Sequence, residues 1–156
     1  LEEVLTGATD DGEAALTDRA RALILEIGKP VIDDPAQGLS PGELAGCVVR
    51  TLNLPEIAKL RPSLVPELTV YAAVEVEGGE QAVVGIADAT GFDGDGRPAV
   101  VIDWKSDVHP TAATIEHYRA QVRAYLDMTR TERGLIVLVT SGQVITVNRS
   151  SATVAA

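Results

Sequence analysis

A change of hydrophobic period near residue 67 constrains this chain more than any other feature. From there the apolar residues recur at every second position (Leu68, Val70, Ala72, Val74, Val76), the spacing of a half-buried strand. Glu77-Gly78-Gly79-Glu80 reads as a hairpin turn into a second strand over 83–90, and Asp93-Gly94-Asp95-Gly96 as another into a third over 99–105. That Asp/Gly loop lacks the length and closing glutamate of a calcium-binding loop, so it is expected to be a turn. A helix is expected over 112–129. The apolar run Leu135-Ile136-Val137-Leu138-Val139 then marks a strand over 134–140 with both faces buried. Ser141-Gly142 turns into a last strand over 144–148. Three meander strands, a crossover helix and a further strand pair imply an α/β fold, a central mixed β-sheet flanked by helices.

Upstream of residue 67 the period is helical. Ala15, Leu16, Ala20, Leu23, Ile24 and Ile27 form one apolar face, closed by Gly28 and Pro30. Ser40-Pro41-Gly42-Glu43 reads as a capping box with proline at the first helical position, opening a helix to about Leu52. Pro55 to Leu60 adds one more turn. Leu1-Glu2-Glu3-Val4-Leu5 starts without a cap and reads as the tail of a helix, expected to begin upstream. The 156 residues suit a single domain, with a helical part over 1–62 and a core over 64–148.

No apolar run reaches the roughly 18 residues of a membrane span, and the start has no basic-then-apolar signal sequence. Cys47, the one cysteine, lies in an apolar helical stretch and is expected in the core. That leaves no disulfide framework and fits a reducing cytoplasm. No His/Cys cluster has zinc spacing.

The chemistry concentrates in Gly85-Ile86-Ala87-Asp88 and Val100-Val101-Ile102-Asp103-Trp104-Lys105. Two adjacent strands each deliver an acid to one end of the sheet. Carboxylates about 4 Å apart repel by roughly 4 kcal/mol at an effective dielectric near 20. A cation between them is therefore expected, and oxygen ligands select a hard ion, Mg²⁺ or Mn²⁺. Alternation puts Asp103 and Lys105 on one side of the strand and Trp104 on the other. A lysine beside such a metal suits a phosphodiester, whose anionic oxygens and attacking water need positive charge nearby. Taken alone, Asp-x-Lys on a strand is more often a solvated edge with an ion pair. On the helix that follows, Tyr118, Gln121, Val122 and Tyr125 share a face at i, i+3, i+4 and i+7. An amide and a phenol on an inward stripe suit a substrate better than packing.

Gly-Ile-x-Asp, then Val-Ile-Asp-x-Lys-Ser-Asp, then Gln-x-x-x-Tyr resembles the PD-(D/E)XK nuclease superfamily. Within it the likeness is to the RecB-type nuclease domain of UvrD-like and AddA-like helicase–nucleases, and it covers roughly residues 64 to 140. The resemblance implies a restriction-endonuclease-like core. It also implies Asp88 and Asp103 as metal ligands with the backbone carbonyl of Trp104, and Lys105 as the catalytic lysine. For Lys105 an ion pair to either acid is the plainer role. Gln121 and Tyr125 match residues implied to orient the substrate or active site, with core packing as the alternative for Tyr125. Glu67 matches an acidic position at the start of the first strand; it is either close to the metal site or a strand-edge charge. Asp107 ends the Lys-Ser-Asp stretch as a loop cap or hydrogen-bond partner. Such domains commonly carry a metal-site histidine on their first helix. Here His109 and His117 both follow the lysine, so the matching histidine is expected upstream of Leu1.

The implied activity is a metal-dependent DNA exonuclease, using Mg²⁺ or Mn²⁺, in a helicase–nuclease that processes DNA ends in repair and recombination. The net charge of −10 opposes strong DNA binding. A helicase in the same or a partner chain, delivering a single strand at high local concentration, removes that need. Two other classes compete: a degenerate nuclease-fold module that guides DNA or docks a protein, and an unrelated acidic α/β domain with a fortuitous motif.

Overall fold

The structure, a computed structural model, describes residues 1–76 and 79–149. The chain forms two compact units, Leu1–Arg61 and Pro62–Ala156, divided where the helical period gives way.

The first unit is helical: α1 (Glu2–Leu5), α2 (Glu13–Glu26), α3 (Pro41–Leu52) and α4 (Pro55–Leu60). Ser40 caps α3 as its sequence demands, its hydroxyl accepting from the Glu43 amide at 3.4 Å. Val4, Leu16, Ala45 and Leu52 form the small core of this unit, with Leu1, Leu5, Val48 and Val49 packed on it. The apolar face of α2 is narrower than the sequence suggests. Leu16, Ala20 and Ile24 are buried, whereas Leu23 and Ile27 are exposed. Leu23 falls off the i, i+4, i+8 stripe made by the other three. Ile27 lies past the last turn, at the C-cap before Gly28 (φ 70°). Cys47 is buried, as expected of a small core residue. Arg19 grips the Glu3 carboxylate at 2.6 Å, and with the Thr9 hydroxyl it draws that acid down to about 2.

The second unit holds β1 (Leu64–Val76), β2 (Gly79–Phe92), β3 (Pro98–Lys105), α5 (Ala112–Thr129), β4 (Arg133–Leu138) and β5 (Gln143–Asn148). One five-stranded sheet runs in the order β1-β2-β3-β4-β5. Its neighbours pair antiparallel except β3 and β4, which are parallel. A parallel pair needs a long crossover, and α5 supplies it. The fold is thus α/β with a mixed sheet and a helix packed on it. β1 and β2 are longer than alternation predicts, because pairing continues through Pro66, Gly91 and Phe92, which carry no period-two signal. Of the expected hairpin turn, Glu77 and Gly78 lie outside the described residues.

Both ends of α5 fall where the sequence places them. The Thr111 hydroxyl accepts from the Thr114 amide at 3.1 Å, and Arg130 closes the helix in the left-handed region (φ 56°). The buried face of α5, centred on Val122 and Leu126, packs with Ala87, Val101, Ile136, Leu138 and Val147. Burying each large aliphatic side chain contributes about 1.5–3 kcal/mol. β4 is buried from Gly134 to Leu138, as a strand between two others beneath a helix must be. No described helix is long and apolar enough to cross a membrane.

Candidate active site

The two acids lie where β2 and β3 part. Their ladder's last pair at this end is Ala89↔Ile102, and beyond it the Asp88 carboxylate takes over. Its Oδ2 accepts from the Trp104 amide at 2.8 Å. Within a strand the N–H and C=O of one residue point the same way, and those of the next residue point oppositely. The carbonyl of Lys105 accepts from the Val139 amide on the β4 side. The Trp104 carbonyl is therefore directed toward Asp88.

Opposite Asp88 on β1 the regular ladder is interrupted. Pairing passes from Leu68↔Ala87 to Pro66↔Ala89. Glu67, between them, takes a φ of 50°, a conformation that costs a non-glycine residue about 1–3 kcal/mol. Its side chain is exposed. Glu67 thus sits across from Asp88, at the strained point of the strand.

Asp103 is the buried member of the site. Its side chain is 1% exposed, and that of Lys105 17%. Lys105 Nζ donates to Asp103 Oδ1 at 3.0 Å and stands 2.9 Å from Oδ2. Among the described residues no donor is aimed at Oδ2 with hydrogen-bond geometry, so its contact with the ammonium is one of charge. Burial pushes the Asp103 carboxyl above its ordinary value. Lys105 opposes the shift, and the neighbouring Asp88 carboxylate adds to it. The alternation read from the sequence is correct: Asp103 and Lys105 share a face.

From the helix side, Gln121 Oε1 accepts from Lys105 Nζ at 3.2 Å, and Gln121 Nε2 donates to the Tyr125 hydroxyl at 3.2 Å. Gln121 thus touches the lysine directly, while Tyr125 braces Gln121 and also packs on the core. Tyr125 can lie so close to β2 because Gly85 has no side chain; a Cβ there would stand 2.7 Å from Tyr125 Cε1. Gly85→Ala is expected to displace that ring and to cost about 1–3 kcal/mol, measured by urea denaturation. A stability unchanged from the parent would show that Tyr125 has another place to go.

Two contacts of the site were not legible in the motif. Tyr118 places its ring under Lys105, with Nζ 4.7 Å from the centroid. Its hydroxyl donates to Asp107 Oδ2 at 2.6 Å. The advance signals were the position of Tyr118 on the inward stripe of α5 and the reading of Asp107 as a loop cap or hydrogen-bond partner. Both histidines are exposed. His109 and Arg119 help line an open groove of about 770 Å³ against β4 and β5.

Among the described residues no group of three or more His, Cys, Asp or Glu side chains is arranged to hold a metal ion. The oxygen donors at the site are the Asp88 and Asp103 carboxylates, including the unsatisfied Oδ2, and the Trp104 carbonyl. Such a set fits a small hard cation that keeps several waters, as Mg²⁺ does.

No family model matches the chain, and no curated protein matches it. Solved structures do. One, described as the crystal structure of SSO0001, superposes with a TM-score of 0.51 at 20% identity, over 86% of this chain and 62% of that one. At that identity the likeness is one of fold, and this chain spans less than two thirds of that neighbour's length.

Proposed function

We propose that the second unit is a metal-dependent deoxyribonuclease of PD-(D/E)XK type, a module of a cytoplasmic helicase–nuclease that degrades DNA from its ends. The observation that supports this reading is the chain of contacts joining residues from two strands and one helix: Lys105 meets Asp103 and Gln121, Gln121 meets Tyr125, and the Asp88 carboxylate neighbours Asp103. In hydrolysis a water oxygen bonds to phosphorus while the ester oxygen leaves with the bonding pair and takes up a proton. Asp88, Asp103 and the Trp104 carbonyl would hold Mg²⁺ or Mn²⁺, which lowers the pKa of bound water and offsets phosphoryl charge. Lys105, the more exposed partner of the ion pair, meets the substrate's oxygens and neutralises the charge that grows on them. Gln121 fixes the direction of that ammonium, and Tyr125 fixes Gln121. The acidity of the whole chain suits a strand delivered by a helicase in the same or a partner chain.

The test is degradation of end-labelled linear DNA, single- and double-stranded, with Mg²⁺ or Mn²⁺, beside Asp103→Ala. Metal-dependent cutting lost in the variant is the expected result. One observation favours a second reading, a non-catalytic module of the same fold: Lys105 is closed onto Asp103, in a chain of net charge −10. That reading requires no Mn²⁺ binding even at millimolar concentration, which calorimetry decides.

A further inference from the structure

We propose that Tyr118 is a positioning residue for Lys105, its ring face holding the ammonium over Asp103 and its hydroxyl locked in place by Asp107. The inference rests on the reading of Lys105 as the residue that meets the phosphate.

Lysine is a flexible stem with a point charge at its end, so its usefulness at a reacting centre depends on what restrains that end. Three groups restrain it here. Asp103 holds Nζ from the sheet at 2.9–3.0 Å, Gln121 holds it from α5 at 3.2 Å, and the Tyr118 ring lies 4.7 Å from it. A cation within about 6 Å of a ring centroid is drawn to the ring's negative face. Unlike a carboxylate, the ring attracts the ammonium without neutralising it, so the charge stays available to an incoming anion.

The phenol is turned away from the lysine. Its hydroxyl donates to Asp107 Oδ2 at 2.6 Å, and Asp107 lies two residues beyond Lys105 on the same chain segment. That segment is itself tied down, because the Asp107 carbonyl accepts from the Thr140 hydroxyl at 2.9 Å, just past β4. The ring is therefore clamped between the end of β3 and the helix. The Asp107 carboxylate also raises the Tyr118 pKa, which keeps the hydroxyl a donor. Tyr118, Gln121 and Tyr125 thus divide the work along one helix face: ring under the charge, amide beside it, phenol behind the amide.

Tyr118→Phe keeps the ring and loses the Asp107 bond, Tyr118→Leu removes the ring face, and Tyr118→Trp restores an aromatic face. Two readouts are compared: steady-state cutting of linear DNA, and the Lys105 ammonium signal in ¹⁵N-edited NMR, assigned with Lys105→Met. A cation–π contact of ordinary strength predicts a kcat about tenfold lower in Tyr118→Leu, with KM unchanged. Tyr118→Phe should stay within about threefold of the parent, and Tyr118→Trp should recover most of the loss. The ammonium signal should be sharp in the parent, Phe and Trp proteins and broadened away in the Leu protein. Equal losses in Phe and Leu, or a sharp Lys105 signal in the Leu protein, would overturn the proposal. If the parent cuts no DNA with either metal, the nuclease reading fails, and the ammonium signal still decides the role of Tyr118.

Discussion

Lys105→Met is expected to lower the rate of DNA cutting by about 10²–10³ and to make stability depend steeply on pH. The rate loss follows from removing the charge that meets the phosphoryl oxygens. The stability loss follows from Asp103, which is 1% exposed and holds its proton more tightly in the fold than in the unfolded chain, because burial raises its pKa. For an acid with a raised folded pKa, the fold is favoured most below the ordinary carboxylate range. Stability then falls as pH rises through the folded value. Lys105 moderates this fall by compensating the anion. Without it a buried carboxylate is left beside a second one, and breaking such a pair costs about 3–5 kcal/mol. Urea denaturation at neutral pH should show a loss of that order, and at a lower pH, as the raised pKa lets Asp103 take up its proton, much of it should return. Adding Asp103→Asn should also recover it, since no buried anion remains. An equal loss at both pH values would show that Lys105 stabilises by packing rather than by charge.

Gly134→Ala is expected to be the most damaging small substitution in the second unit. Gly134, the second residue of β4, lies beneath α5, and an added Cβ would overlap Val122 Cγ1 and press on Leu126 Cδ2 at 3.4 Å. Both neighbours are fully buried, and Val122, branched at Cβ on a helix, has one strongly preferred rotamer. The strain can be relieved only by shifting α5 away from the sheet, at a cost of about 1–3 kcal/mol. That corresponds to a melting point roughly 3–10 °C lower. The shift would carry Gln121 away from Lys105, so DNA cutting should fall together with stability. Gly94→Ala, with nothing within 4 Å of the added atom, is the control that should leave both unchanged. Val122→Ala combined with Gly134→Ala should recover part of the loss, because it removes the overlapping methyl groups.

Much of the site could be read in advance because it depends on local rules. Asp103 and Lys105 share a face because side chains alternate along a strand. Gln121 and Tyr125 share one because a helix repeats every 3.6 residues or so. The bounds of α5, read as 112 and 129, hold because the structure's caps, Thr111 and Arg130, act on groups only a few residues away. Other features escaped. The unusual φ of Glu67 falls just ahead of the alternating run, at a residue that is neither Gly nor Asn, so its type does not announce it. The exposure of Leu23 and Ile27 could not be read from their apolar character alone. The ring of Tyr118 under Lys105 requires that α5 lie at one particular height on the sheet, and no motif encodes that height.

The sequence by itself determined the order of the elements, their helical or extended character and the chemical types brought to the ends of β2 and β3. Periodicity and capping act over a few residues, and those effects survive without knowledge of the rest of the chain. Tertiary structure alone decided which of those groups touch. The Trp104 amide meets Asp88, and Lys105 meets Gln121, each across 16 positions of sequence. Those meetings follow from strand register, from the crossover that places α5 on the sheet, and from two glycines, Gly85 and Gly134, whose missing side chains let the helix approach. Close approach is a property of the packed whole, set by volumes contributed from four separate elements.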